Sequence, residues 1–572
     1  MIILGLNSHE INSSCAIVKN NKLIYGSTEE RFTRQKLTKS FPINSINYYL
    51  YKNNLKIEDI NYVAQSWNPS AYFVKFNPIK SKNRISREDY FYTIPDNLLN
   101  VRGSHNRMIG NKVEMKFDIK NFPKILYIQH HDCHASNSFY LSEFDNAAIL
   151  VCDFKGEFES TSFYYGSKNK INKIKSFNMP NSLGMFYATI TQLLGYKPDQ
   201  DEWKVMALSA MQKGEDKSII KKFEKLFKLC PNGEVIFNQE YFRGNDLCLP
   251  NLYSDKLFNL LGGDKKLINK KYSDWHIAVA TAMQITSEKI CFHYLDELYR
   301  ITKSKNLCLS GGFFMNSVIN GKILENTNFQ NIYIPFAPTD AGNSIGAALY
   351  VSNHLKKNKR VKKKYYSQIG PEFEKKYILK VLKTRKINYK TSENIAIDAA
   401  KLIYKYGFIG YCEGKSEFGD RALGNRSILG DPTKKNIKEK INSAIKFREM
   451  YRPFAPVAKK ENLTKYFHVK KKFTNDYMEK VIKVKKKYIN KIPSVIHFDQ
   501  SARVQTVDKK TPNKLYSILT EFEKLSTYPI LLNTSFNING EPMVLKPEDA
   551  INTFYNSGLE VLILNDFIIF KN

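Results

Sequence analysis

The chain runs to 572 residues and carries 88 Lys and Arg against 55 Asp and Glu, a formal net charge of +33. That length implies about two to four domains, and 42% hydrophobic with 13% aromatic residues excludes a disordered chain. The charge draws anions of every kind and names no partner, while the lack of a membrane-length apolar run or an aromatic–basic module argues against a membrane or nucleic acid.

Met1–Leu6 is apolar, Asn7–Ser14 small and polar, and Cys15–Val18 apolar again, so the chain opens as strand, turn and strand. Leu23–Tyr25 resumes a strand after the turn signal Asn20-Asn21. A short apolar start without a basic leader reads as a strand and not a signal peptide, and a cytoplasmic location is expected. His9 lies in the first turn, and that polar hairpin resembles the phosphate-binding opening of the actin-like ATPase fold. A mixed-charge block, Glu29 to Lys36, precedes an amphipathic helix to about Asn54, and residues 70–125 read as a variable insertion.

Gln129-His130-His131-Asp132-Cys133-His134 then gathers three of the ten histidines. On a helix His130 and His134 leave the same face and can share one metal ion. Asn146–Cys152 reads as a buried strand that delivers Asp153 at its carboxyl end, where ligands gather in α/β sheets. The eight cysteines are scattered with no CxxC pair, several of them in apolar runs that suit reduced, buried thiols. Asn181–Gly184 and Asp201–Ala207 open helices, and a long amphipathic helix spans about Asp274 to Lys303. Leu307–Leu309 is a strand running into Ser310-Gly311-Gly312 and a helix holding Asn316 and Asn320; paired glycines let backbone approach a nucleotide. Ile332–Ile334 leads to a second strand-end aspartate, Asp340, and a small-residue helix. These recurring strand–loop–helix units argue for a duplicated α/β core around one cleft. There His130, His134, Asp153 and Asp340 offer two nitrogens and two oxygens, a set that suits Fe, Mn or Zn better than Mg.

Leu355–Lys364 (LKKNKRVKKK) reads as a solvated basic run that separates two domains. Beyond it, Arg421 and Arg426 stand among turn-permissive glycines, Lys446, Arg448 and Arg452 follow closely, and Arg503 sits in a strand-like segment. Arginine forks suit bidentate binding of phosphate or carboxylate.

In their order these motifs resemble the NodU/CmcH family of O-carbamoyltransferases of antibiotic and nodulation-factor biosynthesis. The pieces that carry the resemblance include NSHEINSS, EERFTRQK, HHDCHA, DEWKVMAL, LSGGFFMN, PTDAGNSIGAAL, GDRALGNRSIL, KFREMYRPFAP, SARVQTV and NTSFNINGEP. Asp420 stands where the family commonly has proline, and Phe154-Lys155 replaces a glycine-led turn. The resemblance implies an α/β fold in two parts. Residues 1–355 would be an actin-like ATPase domain similar to the tRNA threonylcarbamoyl-transfer enzymes, 356–364 a basic linker, and 365–572 an α/β YrdC-like domain.

The resemblance also implies two steps. ATP and carbamoyl phosphate give carbamoyl-adenylate, and the carbamoyl group then passes to a hydroxyl of a small natural product, releasing AMP. Arg421, Arg426, Lys446, Arg448, Arg452 and Arg503 become the carbamoyl phosphate candidates. Gly311, Gly312, Asn316 and Lys204 become the nucleotide candidates, with His9 and Asp153 as catalytic residues. The implied metal on His130, His134, Asp153 and Asp340 is iron first, then manganese or zinc, with Mg a companion of ATP. Two other readings stay open: a tRNA threonylcarbamoyladenosine-type enzyme, and a non-catalytic, nucleotide-binding actin-like regulator. The oligomeric state is also open, as monomer or homodimer.

Overall fold

The computed structural model describes residues 1–8, 11–69, 107–109, 112–114, 123–212, 214–243, 251–262, 272–448, 451–470 and 473–571. The protein is mixed α/β and divides into two compact units whose main boundary falls between Tyr365 and Tyr366. Unit 1 is the amino-terminal part and unit 2 the carboxyl-terminal part. Two short segments of the amino-terminal half, Arg34–Lys36 and Asn316–Gly321, cluster with unit 2.

Among the described residues unit 1 contains two five-stranded sheets built to one plan. In the first, β1 (Ile2–Asn7), β2 (Ser14–Lys19) and β3 (Lys22–Thr28) form an antiparallel meander. β4 (Tyr62–Gln65) and β5 (Lys124–Tyr127) continue from β1 in parallel. The second sheet repeats this with β6 (Asn146–Cys152), β7 (Glu159–Ser167) and β8 (Lys170–Asn178), extended in parallel by β9 (Asn306–Ser310) and β10 (Asn331–Tyr333). The duplication expected from the strand–loop–helix units is therefore present. Residues 107–109 and 112–114 pair antiparallel; the rest of the 70–125 insertion up to residue 122 lies outside the described residues.

The pleat sends alternate residues of β1 to opposite faces. Leu4 and Leu6 enter a core with Ile46 and Tyr49 of the helix Ile43–Lys52. The opposite face meets α3 (Asn343–Leu349), which also packs on α1 (His130–Leu141). Gly346 makes that contact possible: a Cβ there would stand 1.9 Å from the Cys133 carbonyl oxygen. Only a residue without a side chain lets the two helices come this close. α2 is the long helix Asp274–Thr302, matching its expected bounds, with Ser273 as N-cap.

Two expectations need correction here. The run 355–364 is not wholly solvated: Arg360 is buried, stacks 4.3 Å from the Phe139 ring, and donates to the carbonyls of Phe144 (2.7 Å) and Ser142 (2.5 Å). A guanidinium can cap exposed carbonyls at a helix end, so one residue of a basic run becomes a strap. Asp340 is not at a strand end either; β10 stops at Tyr333, and Asp340 opens the short 3-10 turn Asp340–Gly342 that leads into α3.

Unit 2 is built on one eight-stranded mixed sheet. In chain order its strands are β11 (Lys390–Thr391), β12 (Phe408–Cys412), β13 (Arg426–Gly430), β14 (Ala455–Lys459), β15 (Gln505–Val507), β16 (Ile530–Ser535), β17 (Val561–Leu564) and β18 (Phe567–Phe570). Across the sheet the order is β11-β18-β17-β12-β13-β16-β14-β15. Both faces are covered, and the alternation is plain: Phe408, Cys412, Leu562 and Leu564 face one core, Ile409, Tyr411, Val561 and Ile563 the other. The segment expected to be strand-like around Arg503 is broken into Ser501–Ala502 and β15, with Arg503 between them.

Candidate functional site

Unit 1 brings its four expected ligands together. His130 and His134 lie one turn apart on α1, Asp153 follows β6, and Asp340 lies in the turn before α3. His130 Nε2 and His134 Nε2 are 3.1 Å apart. Asp153 Oδ2 lies 3.0 Å from the first and 3.2 Å from the second; Asp340 Oδ1 lies 3.4 Å from both. All four donor atoms fall within 4.8 Å of one another. Donors held about 2.1 Å from one ion are separated by about 3.0 Å at right angles and about 3.4 Å in a tetrahedron. These five separations span that interval, so the residues fit a divalent ion with nitrogen and oxygen donors.

The electrostatics agree. Burial alone would lower both histidine pKa values, but Asp340 and Asp153 outweigh it and hold both imidazoles above their usual range. Burial also works against the carboxylates, yet the histidines hold Asp153 well below and Asp340 below theirs. Two negative charges, one buried and one half-buried, thus demand two positive ones, which a divalent ion supplies as well as two protons do.

Neighbouring groups aim the ligands. Asp153 Oδ1 accepts from the Gly312 N–H at 2.9 Å, leaving Oδ2 to the histidines. Gly311 has φ +103°, and a Cβ on it would meet the Cys152 carbonyl oxygen at 2.1 Å, so the diglycine turn folds directly against the β6 end that delivers Asp153. Ser310 Oγ donates to the Pro338 carbonyl (3.3 Å) and so faces His134 Nδ1 (3.2 Å) as an acceptor, which keeps the Nε2 lone pair for an ion. The N-cap Gln129 offers no side-chain bond to α1; instead both Glu157 oxygens accept from the His130 N–H at 3.0 Å, and one also accepts from Asn68 N–H at 2.8 Å. Burial pushes the Glu157 carboxyl up to about 7. Asn343, at the start of α3, is fully buried beside both histidines. Glu157, Ser310 and Asn343 were not among the expected site residues. Asn343 stands one helical turn after Asp340, a spacing that would have flagged it.

The nucleotide candidates do not form one group. Gly311 and Gly312 lie against Asp153, whereas Asn316 clusters with unit 2, where its Oδ1 accepts from the Ile319 N–H at 3.1 Å and caps the helix Ser317–Asn326. Lys204 pairs with Asp201 at 2.9 Å and lies over the Trp203 ring. His9 lies outside the described residues.

In unit 2 the cations behave in three ways. Arg421 is buried, donates to the Tyr477 carbonyl at 3.2 Å, and stands close enough to Arg503 to help burial push the Arg503 guanidinium down to about 9. Arg503 has no hydrogen-bond or ion-pair partner among the described residues. Lys446 is buried with Arg448, Arg452 and Lys36 around it; burial first, then these like charges, hold its ammonium well below the usual lysine range. Its Nζ donates to the Ser535 and Asn537 carbonyls (2.5 and 3.0 Å) and to Asn537 Oδ1 (2.7 Å), bracing the loop after β16. Arg448 stacks 4.3 Å from the Phe454 ring. Lys36, from the EERFTRQK block, was not expected here.

Arg426 departs from the phosphate-binding expectation. Its Nε donates to the Leu545 carbonyl, and its two terminal nitrogens to those of Glu413, Gly414, Asn425 and Pro371. With every donor directed at backbone, it pins three chain segments together and has none left for an anion.

Among the described residues no helix is long and apolar enough to cross a membrane. Two family models match: Carbamoyltransferase N-terminus over residues 2–349 and Carbamoyltransferase C-terminus over residues 400–571. Nodulation protein NolNO of Sinorhizobium fredii is 30% identical over 576 residues, which is 99% of this chain and 80% of that protein. Nodulation protein NolO of Bradyrhizobium diazoefficiens is 34% identical over 449 residues, 78% of this chain and 79% of the relative. The protein sll1178 of Synechocystis is 31% identical over all of this chain and 96% of its own length. Matched by both halves of the family and along nearly its whole length by relatives, the chain belongs to the carbamoyltransferases and is an enzyme of that kind.

Proposed function

We propose that this carbamoyltransferase moves the carbamoyl group of carbamoyl phosphate, through an ATP-derived carbamoyl-adenylate, to a hydroxyl of a small natural product. Unit 1 is read as an actin-like ATPase domain, supported by its two sheets of identical plan. Unit 2 is read as a YrdC-like domain that performs the activation. The observation that carries the reading is the convergence of His130, His134, Asp153 and Asp340 within 4.8 Å in the region that matches the family's amino-terminal model.

The chemistry balances as follows. Water releases phosphate from carbamoyl phosphate and leaves carbamate; a carbamate oxygen attacks the α-phosphorus of ATP and expels pyrophosphate; the acceptor hydroxyl attacks the carbamoyl carbon and AMP departs. Both substrates of the first stage are multiply anionic; Arg421, Arg503 and Lys446 supply positive charge that burial makes costly without an anion, and the half-buried Arg448 and Arg452 add to it beside Lys446. His9 is the candidate to accept the acceptor's proton. In unit 1 the His130, His134, Asp153 and Asp340 side chains would hold iron, or manganese or zinc, which when bound supplies Lewis-acid charge for the adenylate phosphate. Asp153, oriented by Gly312, fixes the geometry there.

The test measures AMP from ATP in the purified protein. AMP that forms only with carbamoyl phosphate and a small polyhydroxylated acceptor supports the reading. AMP driven by threonine, bicarbonate and tRNA would replace it with the tRNA-modifying alternative.

A further inference from the structure

The four-residue cluster leaves one neighbour unexplained. Asn343 is wholly buried, and its Nδ2 lies 3.0 Å from His134 Nε2 and 3.4 Å from His130 Nε2. Those are the separations at which the Asp153 and Asp340 oxygens stand from the same two nitrogens, 3.0 to 3.4 Å. The other end of the carboxamide, Oδ1, is buried and has no hydrogen-bond partner. An unsatisfied buried carbonyl oxygen costs about 1–3 kcal/mol in proteins, so its presence calls for a reason.

The two ends of an asparagine side chain have the same shape, and which end faces a neighbour is decided by hydrogen bonding. Nδ2 can face the histidines only while an Nε2 lone pair accepts its proton. When an ion takes both lone pairs, that acceptor is gone and an N–H pair would point at positive charge. A half-turn about the Cβ–Cγ bond removes both problems, presenting the partnerless Oδ1 to the cation.

We propose that Asn343 is a fifth protein ligand of the unit 1 metal centre, binding through Oδ1. The assignment rests on reading His130, His134, Asp153 and Asp340 as a metal centre. It also refines that centre. Two carboxylates already balance a divalent charge, so a neutral oxygen raises the donor count without making the site anionic. Five protein donors suit Fe2+ or Mn2+, which accept six, better than Zn2+, which favours four. A neutral site with one position still open also remains receptive to the phosphate oxygen of an anionic substrate.

The test uses the full-length protein stripped with chelator and titrated with Co2+, whose visible absorption strengthens as coordination falls toward four. The wild type is expected to show the weak band of five or six donors. Asn343→Ala is expected to bind Co2+ about 10–100-fold more weakly, with a stronger, four-coordinate band. Asn343→Asp keeps an oxygen and loses the N–H pair, so it is expected to retain the wild-type band and to bind at least as tightly. Unchanged affinity and spectrum in Asn343→Ala would overturn the proposal. So would loss of Co2+ binding in Asn343→Asp, which is the result if Nδ2 donation is the real role. Should Asn343→Ala fail to fold, by near-ultraviolet circular dichroism, the Asp variant alone decides. If His134→Ala binds Co2+ as well as the wild type does, the metal centre itself is wrong, and that outcome is separate from a failure confined to Asn343.

Discussion

At the heart of unit 1, one buried and one half-buried carboxylate face two buried imidazoles; in unit 2, Arg503 stands beside Arg421, and Lys446 beside Arg448, Arg452 and Lys36. The first cluster sets carboxylates against imidazoles in equal number and draws itself together. The second sets cation beside cation, with Glu479 and Asp420 offsetting part of the Arg421 charge and, among the described residues, no acidic group offsetting that of Arg503. Buried like charges persist only where the surrounding fold fixes them, here through carbonyls such as those of Tyr477, Ser535 and Asn537. A neutral cluster is a place to hold an ion. A cluster that sets cation beside cation suits an anion, the role proposed for it above.

The largest expected effect breaks the first cluster. Removing one ligand, as in His134→Ala or Asp340→Asn, should cost more than the about 10–100-fold in ion affinity that outer-shell changes cost. Carbamoyl transfer should disappear with it while the fold persists. Elemental analysis alongside circular dichroism checks this, and near-stoichiometric metal in both variants would contradict it.

The second expected effect runs in opposite directions for binding and stability. Arg503→Met should weaken inorganic phosphate binding about 10–100-fold, the worth of one charge-assisted hydrogen bond of about 1.5–3 kcal/mol. Because burial and Arg421 make the Arg503 charge costly, the same change should leave the melting temperature level or raise it by about 2–4 °C per kcal/mol relieved. Calorimetric titration and a thermal melt test both halves; a fall in melting temperature would make Arg503 a structural residue.

The smallest effect concerns pH. Burial, reinforced by Arg503, Lys438 and Lys483 and opposed by Asp499, pushes the His497 imidazole down to about 4. The unfolded chain takes up that proton near pH 6.5, so stability should be lost as pH falls from about 6.5 toward 4, on the order of 1–3 kcal/mol. His497→Gln should flatten that limb in denaturant titrations at pH 7 and 5. An unaltered slope would mean that His497 is protonated in the folded protein.

What the sequence made legible followed from periodicity and spacing. His130 and His134 declared themselves by the interval of one helical turn, and Asp153 by its place after an apolar strand. What stayed hidden depended on contacts between distant segments. Arg426 looked like its neighbours because an arginine held by the carbonyls of Leu545 and Pro371 has the same local sequence signature as one awaiting phosphate. Arg360 was lost in a run of lysines for the same reason. Lys36 lies more than 400 residues before Lys446, and spacing carries no information across that distance.

The contact of Gly346 with the Cys133 carbonyl has a kinetic consequence. His134 is the next residue after Cys133, and Asp340 lies just before the helix that holds Gly346, so two ligand-bearing elements meet backbone to backbone with no side chain between them to give way. A close-packed contact of this kind yields by opening as a whole and not by small adjustments. An ion seated there should therefore leave slowly relative to its affinity, with a residence time set by how often the helices separate, and a bulkier residue at position 346 should shorten that time before it changes which ion is preferred.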